Sequence, residues 1–435
     1  LLAQANPTHK VKINDGLTVS VEACSESIFR IKVSPRKDFT ESLMERYELI
    51  KTDWSEVKTD ISDKGGVWTL KTPEYSLAIN KKTGVMTVKD AKGGKVIREV
   101  RFLPEKEGLC GEMRSFINEK YADLKVADNG GGIIGDDNGK FGEVDKHEIP
   151  AADAVSILSF SMEDGERFYG GGSTSRDHIQ HRGEFLRMWT TYQQTEIPMP
   201  FMMSSRGWGV YNNSTRKSFF DIGNQQKTKF NIINTFDEAD FYLMMGKDMP
   251  AVLNEYTLVT GRTYVLPKWA YGLCFGPNMR EEQFDILNDA VRFRQFDVPC
   301  DVFWLEPQWM EKRYDFSTKK KWNYDRFSPE PYWLQDQYPK TMHNRLFIGK
   351  LRSMGFHLGL WLCEEYDLSI QEEDIIAERT GGKLSGQEHW MDHLTVFMDQ
   401  GVEGFKLDPA RTIDNHTNWE YYNGRTDKEM HNLNQ

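Results

Sequence analysis

Short apolar runs separated by turn residues fill residues 6–250. Val67-Trp68-Thr69-Leu70-Lys71, Tyr75-Ser76-Leu77-Ala78-Ile79 and Val85-Met86-Thr87-Val88 are strand-like, with turns at Asn80–Gly84 and Asp90–Gly94. Runs at this spacing, punctuated by Gly and Asn, predict a β-sandwich. The glycine-rich stretch 129–142 predicts an exposed loop.

The pattern changes after residue 251. Tyr271-Gly272-Leu273-Cys274-Phe275 is a continuous apolar run, as in a strand buried on both faces. A helical period follows over Glu281–Phe296, with Phe284, Leu287, Val291 and Phe296 near one face. The next elements are a strand at Asp301–Leu305, a helix at Asn344–Met354 closed by Gly355, and a strand at Phe356–Leu362. A helix at Glu388–Gln400 ends at Gly401, and Val402–Leu407 is a fourth strand. Strand–helix alternation with apolar strands predicts parallel βα units. Long connections follow the second and third strands, where a (β/α)-barrel builds its active site. The expected fold class is multidomain, β followed by α/β. A sandwich spans 6–250, a connector 251–268, and the first half of a (β/α)8 TIM barrel 269–435.

Charge and composition narrow the function. The 435 residues carry a net charge of −11, which argues against nucleic acid as the partner. With 12 Trp, 17 Tyr and 25 Phe the chain can bury a large core. No apolar run approaches the roughly 20 residues that span a bilayer. Cys24, Cys110, Cys274, Cys300 and Cys363 are widely spaced and odd in number, which predicts buried small hydrophobes, not disulfides or a zinc site. Leu1-Leu2-Ala3-Gln4-Ala5 reads as the end of a signal peptide, so the expected location is secreted or periplasmic.

Three strands end in carboxylates: Glu306, Glu364-Glu365 and Asp408. Alternation puts Gly404, Lys406 and Asp408 on one face, with Phe405 and Leu407 toward the helices. A neighbouring lysine favours an ionised aspartate, which can attack a sugar carbon. A Lys–Asp pair that only stabilises the rim explains the same spacing. Trp304 and Glu306 also share a face. An indole can stack on the C–H face of a sugar while a carboxylate accepts its hydroxyl hydrogen bonds. Trp309, in the loop beside Pro307 and Met310, is a second stacking candidate.

These residues carry a resemblance. Tyr256–Arg262 with Leu266-Pro267-Lys268-Trp269-Ala270 resembles the approach to the catalytic barrel of glycoside hydrolase family 31. Asp301–Met310 resembles its second barrel strand, and Gly404-Phe405-Lys406-Leu407-Asp408 the strand that carries its nucleophile. Glu166–Gly172 and Ile197–Val210 resemble its N-terminal sandwich. The resemblance implies a retaining, exo-acting α-glycosidase with Asp408 as nucleophile and no cofactor. It implies that Glu306 binds sugar hydroxyls and that Trp304, Trp309 and Trp361 wall the pocket. Lys406 and Glu365 are further expected substrate-binding residues, as are Tyr192 and Gln193 of the segment Trp189–Gln193, which would reach the barrel mouth from the sandwich. The general acid of the family stands on a later strand, beyond Gln435.

The chain departs from the family's α-glucosidases at Glu306, where they carry aspartate, and at Pro409-Ala410-Arg411, where an acidic residue usually follows the nucleophile. The Leu305-Glu306-Pro307 and Lys406-Leu407-Asp408 forms resemble the family's α-galactosidase and α-N-acetylgalactosaminidase branch, so a galacto-configured oligosaccharide or glycoconjugate is the expected substrate. An α-glucosidase or α-xylosidase, a transglycosylase and a non-catalytic carbohydrate-binding homologue are the alternatives. Oligomerisation stays open. Gly170–Thr174 lacks the GK[ST] of a phosphate loop and predicts a sharp loop. His389 and His393 flank Trp390 where a metalloprotease carries glutamate nearby, so packing roles are expected for them and for His178 and His181, and no metal site.

Overall fold

The computed structural model describes residues 6–13, 16–122, 155–173, 178–190, 197–277, 282–327, 347–363, 366–407 and 421–434. Residues 1–5, the 129–142 stretch, Tyr192, Gln193, Glu364, Glu365 and Asp408 lie outside them.

Two antiparallel sheets face each other in the first part of the chain. One has seven strands, running across the sheet from His9–Lys12 through Ile28–Ser34 and Ala239–Met245 to Phe168–Ser173. The other has nine, from Phe185–Met188 through Ser156–Ser161 to Asp60–Lys64. Alternate residues of both sheets meet in one core that includes Val19, Ile31, Leu77, Val100, Phe160, Phe230 and Trp208. Aromatic rings bridge the layers: Phe160 of the second sheet stacks on Trp208 of the first at 5.4 Å. The Trp208 indole donates to buried Glu166 at 2.9 Å, so the ring satisfies its polar edge inside the core.

Gly170–Gly172 is not a loop. It lies inside the strand Phe168–Ser173, where the register slips between Gly170 and Gly172. A Cβ at Gly172 would sit 2.1 Å from the Ile197 carbonyl oxygen, and φ there is +77°. Only glycine lets the paired backbones approach so closely through a bulge.

Helices also occur where the sequence predicts only strands. A short helix α1 (Leu43–Arg46) and a long α2 (Gly108–Ala122) belong to the sandwich. Cys110, Met113 and Ile117 of α2 are buried, an i, i+3, i+7 pattern that the sequence displays. Helix α3 (Met249–Thr260) starts at the end of the expected sandwich and runs into the expected connector. Asp248 caps its Ala251 N–H at 2.9 Å, and Val252 and Val259 are buried.

The last part is a parallel sheet of four strands in chain order: β1 (Cys274–Phe275), β2 (Val302–Leu305), β3 (His357–Leu362) and β4 (Gly404–Leu407). Helices α4 (Gln283–Gln295), α5 (Phe347–Ser353), α6 (Ser369–Thr380) and α7 (Trp390–Gln400) alternate with them, and α8 (Asp427–Asn434) follows. Gly355 and Gly401 turn the chain after α5 and α7 at φ +79° and +108°. β1 is shorter than expected. Tyr271 and Leu273 are 66% and 52% exposed and Cys274 is exposed too, because β1 pairs only with β2 among the described residues. Helix α4 buries a different face from the expected one. Ile286 and Ala290 are buried with Leu287 and Phe293 against the same core, while Phe284 and Phe296 are 66% and 75% exposed. The small Ala290 lets the helix approach the sheet, and Phe293 then packs edge-on against Phe275 and Phe303.

The sandwich and the barrel sheet are joined by polar contacts of very long sequence separation. Arg46 pairs with Glu373 of α6, and Tyr47 donates to the same carboxylate at 2.7 Å. His431 of α8 stacks on Trp189 at 4.0 Å and bonds the Thr190 carbonyl at 2.8 Å, while Asn432 accepts from the Thr190 N–H at 3.0 Å. Leu43, Tyr47, Tyr421 and Met430 close an apolar cluster between them.

Candidate active site

Parallel register fixes which side chains meet. Trp304 of β2 stands beside Gly359 of β3, and Gly359 beside Gly404 of β4. Two residues further on, Trp361 pairs with Lys406, and Glu306 follows β2 at the same level. Leu305, Leu360 and Phe405 point the other way, into the core with Ile286, Leu351 and Phe397. Leu407, expected on that side, is 56% exposed.

The two glycines make room for the Trp304 indole. A Cβ at Gly359 would lie 2.1 Å from Trp304 Cε3, and one at Gly404 would lie 3.0 Å from Cη2. Neighbouring strands are about 4.8 Å apart, so the ring lies flat across two of them. It forms a half-buried apolar floor on the face opposite the helices.

Above that floor, Lys406 Nζ donates to Glu306 Oε1 at 3.1 Å, joining β2 to β4. The Glu306 side chain is 14% exposed and that of Lys406 45%. A half-exposed pair of this kind stabilises the fold by well under 1 kcal/mol. Its consequence is orientation: one carboxylate oxygen is held toward the lysine, leaving acceptor capacity on the other. A Cβ at Gly276, just past β1, would be 3.4 Å from Glu306 Oε1, so this glycine keeps the first strand end clear of the carboxylate. Lys406 therefore meets Glu306. Its expected partner Asp408 is outside the described residues, as are Glu364, Glu365, Tyr192 and Gln193.

Trp309 differs from its expected role. It is fully buried, edge-on to Trp322 at 5.2 Å and to Phe397 of α7 at 5.1 Å, and offers no face to a ligand. The helix-like turn Pro307–Trp309 folds it back under the sheet. Its Nε1–H donates to the Trp361 carbonyl at 2.7 Å, so it braces the strand that carries Trp361. Trp361 is itself 2% exposed and stands on the Glu306–Lys406 level, covered by the edge of Tyr314 at 5.6 Å. Sequence reasoning missed Tyr314. It holds a positive φ of 55° in the loop after β2, and Arg313 lies 4.8 Å over its ring. An aromatic next to an arginine in a long loop is too common a pair to have marked it.

Histidines among the described residues pair with neighbouring carboxylates. His389 bonds Asp374 at 2.9 Å and His181 bonds Glu184 at 2.8 Å. At the opposite end of the sheet, His357 stacks on Trp269 at 4.0 Å and pairs with Glu403, which ties the strand starts together.

Known proteins resemble this chain in sequence and fold. A family model described as the glycosyl hydrolase 31 N-terminal galactose mutarotase-like domain matches residues 18–221. A second, the glycosyl hydrolases family 31 TIM-barrel domain, matches 263–435. An α-xylosidase of Emericella nidulans is 22% identical over 334 residues, which is 69% of this chain and 40% of that protein. An α-xylosidase of Saccharolobus solfataricus is 28% identical over 319 residues, 68% of this chain and 40% of that protein. Among solved structures, a Flavobacterium johnsoniae dextranase complexed with glucose superposes with a TM-score of 0.67 at 17% identity, over 99% of this chain and 51% of that one. A soil-metagenome α-xylosidase complexed with xylose gives a TM-score of 0.66 at 16% identity, over 99% and 60%. The chain thus spans about 40% of the length of these two sequence relatives. With both domains matched in order along the sequence, the chain belongs to glycoside hydrolase family 31.

Proposed function

We propose that this chain supplies the sandwich and the first half of the (β/α)8 barrel of a retaining, exo-acting α-glycosidase. The observation that carries the reading is the paired level at the strand ends: an indole floor over Gly359 and Gly404, with Glu306 and Lys406 bonded above it. A floor for C–H contacts beneath one anion and one cation suits a sugar ring with its hydroxyls. Asp408 follows Lys406 by two residues in the sequence, the spacing that an extended strand places on one face. In the reaction its carboxylate bonds to the anomeric carbon as the glycosidic C–O bond breaks, and a general acid protonates the departing oxygen. Water then displaces the carboxylate with the same group acting as base, so the sugar leaves with its configuration retained.

We place α-xylosides and α-glucosides first as substrates. The relatives named above are α-xylosidases and a dextranase, and a Bacillus thermoamyloliquefaciens α-glucosidase is 30% identical over 167 residues. None of them supports the galacto-configured substrate suggested by Glu306. Hydrolysis of nitrophenyl α-xyloside, α-glucoside, α-galactoside and α-N-acetylgalactosaminide by the full-length protein tests the assignment. Turnover of the first two supports it. Turnover of only the galacto pair restores the reading from Glu306, and no turnover of any α-glycoside overturns the enzyme.

A further inference from the structure

The connection after β2 carries charge of the sign opposite to the chain as a whole. Residues 311–321 hold five Lys or Arg against Glu311 and Asp315, in a chain of net charge −11. The ends of this stretch are pinned together. Met310 and Trp322 form a β-bridge, and the Glu311 N–H donates to the Lys321 carbonyl at 2.9 Å. The tip lies over the end of β3: Cys363 Sγ donates to the Asp315 carbonyl at 3.6 Å, and the edge of Tyr314 meets Trp361. Because β3 stands between β2 and β4, the tip overhangs the level where Glu306 and Lys406 meet.

Two of the five cations are engaged within the fold. Lys319 pairs with Glu388 at 2.7 Å, and buried Lys320 donates to the Ser317 carbonyl at 2.7 Å. Lys312, Arg313 and Lys321 are exposed and pair with no carboxylate among the described residues. Arg313 is also held in place. Its guanidinium lies 4.8 Å over the Tyr314 ring, and its Nη2 donates to Tyr314 Oη at 3.3 Å. Consecutive side chains of an extended backbone point apart, and the φ of +55° at Tyr314 is what turns these two together. Of the three non-glycine residues with positive φ among the described residues, Tyr314 alone is aromatic. A bulky residue there is an outlier, and such backbone is kept where a functional geometry requires it.

We propose that Arg313 is a subsite for a carboxylate on the sugar next to the one that is cleaved, which makes acidic oligosaccharides the preferred substrates. The inference rests on the function proposed above, which seats the cleaved sugar on the Trp304 floor. Glu306, Trp361 and Lys406 form the level over that floor, and Tyr314 and then Arg313 lie further toward solvent. The guanidinium therefore stands one layer beyond the first sugar. It has donors and no acceptor, so it favours a group that only accepts, and a carboxylate meets it with two oxygens where a hydroxyl offers one.

An α-linked disaccharide with xylose or glucose at its non-reducing end, its other unit oxidised to an aldonate or reduced to an alditol, gives two open-chain probes that differ by one carboxylate. Calorimetric titration of the full-length Asp408→Ala protein, which leaves the probes uncleaved, reads both affinities. The aldonate is expected to bind about fivefold more tightly at low salt, the upper end of what an exposed ion pair supplies. The preference should shrink to under about twofold in 1 M NaCl, where screening acts within about 3 Å. Adding Arg313→Gln should abolish it with the alditol affinity unchanged, and Arg313→Lys should retain part of it. Arg313 is exposed, so neither change disturbs the core. Equal affinity for the two probes, or a preference that survives Arg313→Gln, overturns the subsite and leaves the proposed function standing. Binding of neither probe overturns the subsite, and the proposed function falls with it only if the unsubstituted protein also cleaves no α-glycoside. An aldonate preference in a protein without glycosidase activity would overturn the proposed function alone.

Discussion

Replacing Gly359 by alanine tests the indole floor. In a strand this change normally stabilises by about 0.4–1 kcal/mol, since the unfolded chain loses freedom and φ at Gly359 lies outside the left-handed region. Here the new methyl would sit 2.1 Å from both Cε3 and Cζ3 of Trp304. Toward β4 the ring already uses the space that Gly404 leaves, since a Cβ built there would lie 3.0 Å from Cη2. It must leave its place or push β3 aside, and overpacking of this kind costs about 1–3 kcal/mol. The expected net effect is a destabilisation of about 1–2 kcal/mol in urea unfolding, with a changed near-ultraviolet circular dichroism signal from the displaced indole. Trp304→Ala removes the obstacle, so Gly359→Ala should be neutral or stabilising in that background. The coupling energy of the double-mutant cycle should then be about 2 kcal/mol. If Gly359→Ala costs the same in both backgrounds, the ring does not occupy the space above β3 and the floor is misassigned.

Other outcomes follow from the same geometry. Glu306→Gln should lower kcat/KM by about 10- to 100-fold, as loss of a charged hydrogen bond to substrate does, with little change in unfolding midpoint. Trp309→Phe should destabilise by about 1–3 kcal/mol in denaturant unfolding, because the Trp361 carbonyl loses its donor inside the core. Hydrogen bonding from Arg46 holds the Glu373 carboxyl below its usual range, despite an opposing push from burial. A carboxyl lowered in the folded state stabilises above its unfolded value, near 4.3, and that stabilisation fades as pH falls through the lower folded value. The stability difference between the protein and Glu373→Gln should therefore be present at pH 7 and close below about pH 4, as measured by urea titrations across pH.

Much of the fold is local information. Strand–helix alternation after residue 269 and the closing glycines 355 and 401 are readable because period and punctuation act over a few residues. The common face of Trp304 and Glu306 is likewise a two-residue rule. What cannot be read depends on partners distant in sequence. Trp309 is buried because Phe397, 88 positions later, closes over it. Which face of α4 goes inward depends on how closely Ala290 lets the helix approach, and the larger Phe284 and Phe296 mislead a reading by apolar size. The partner of Lys406 could have been Asp408 or Glu306, and only the parallel register brings Glu306 to it. Helix α2 is a different failure: its buried Cys110, Met113 and Ile117 are visible in the sequence but sit among strands.

The assignment of Asp408 is tested most directly by trapping. A 5-fluoro-α-glycosyl fluoride of xylo or gluco configuration carries a leaving group that needs no general acid, and the 5-fluorine slows hydrolysis of the covalent intermediate. The full-length protein is incubated with it, digested and analysed by peptide mass spectrometry. The expected result is one sugar added to the peptide containing Asp408, with no adduct in Asp408→Ala. An adduct on another carboxylate, or inactivation with no adduct at Asp408, would contradict a retaining mechanism through this residue.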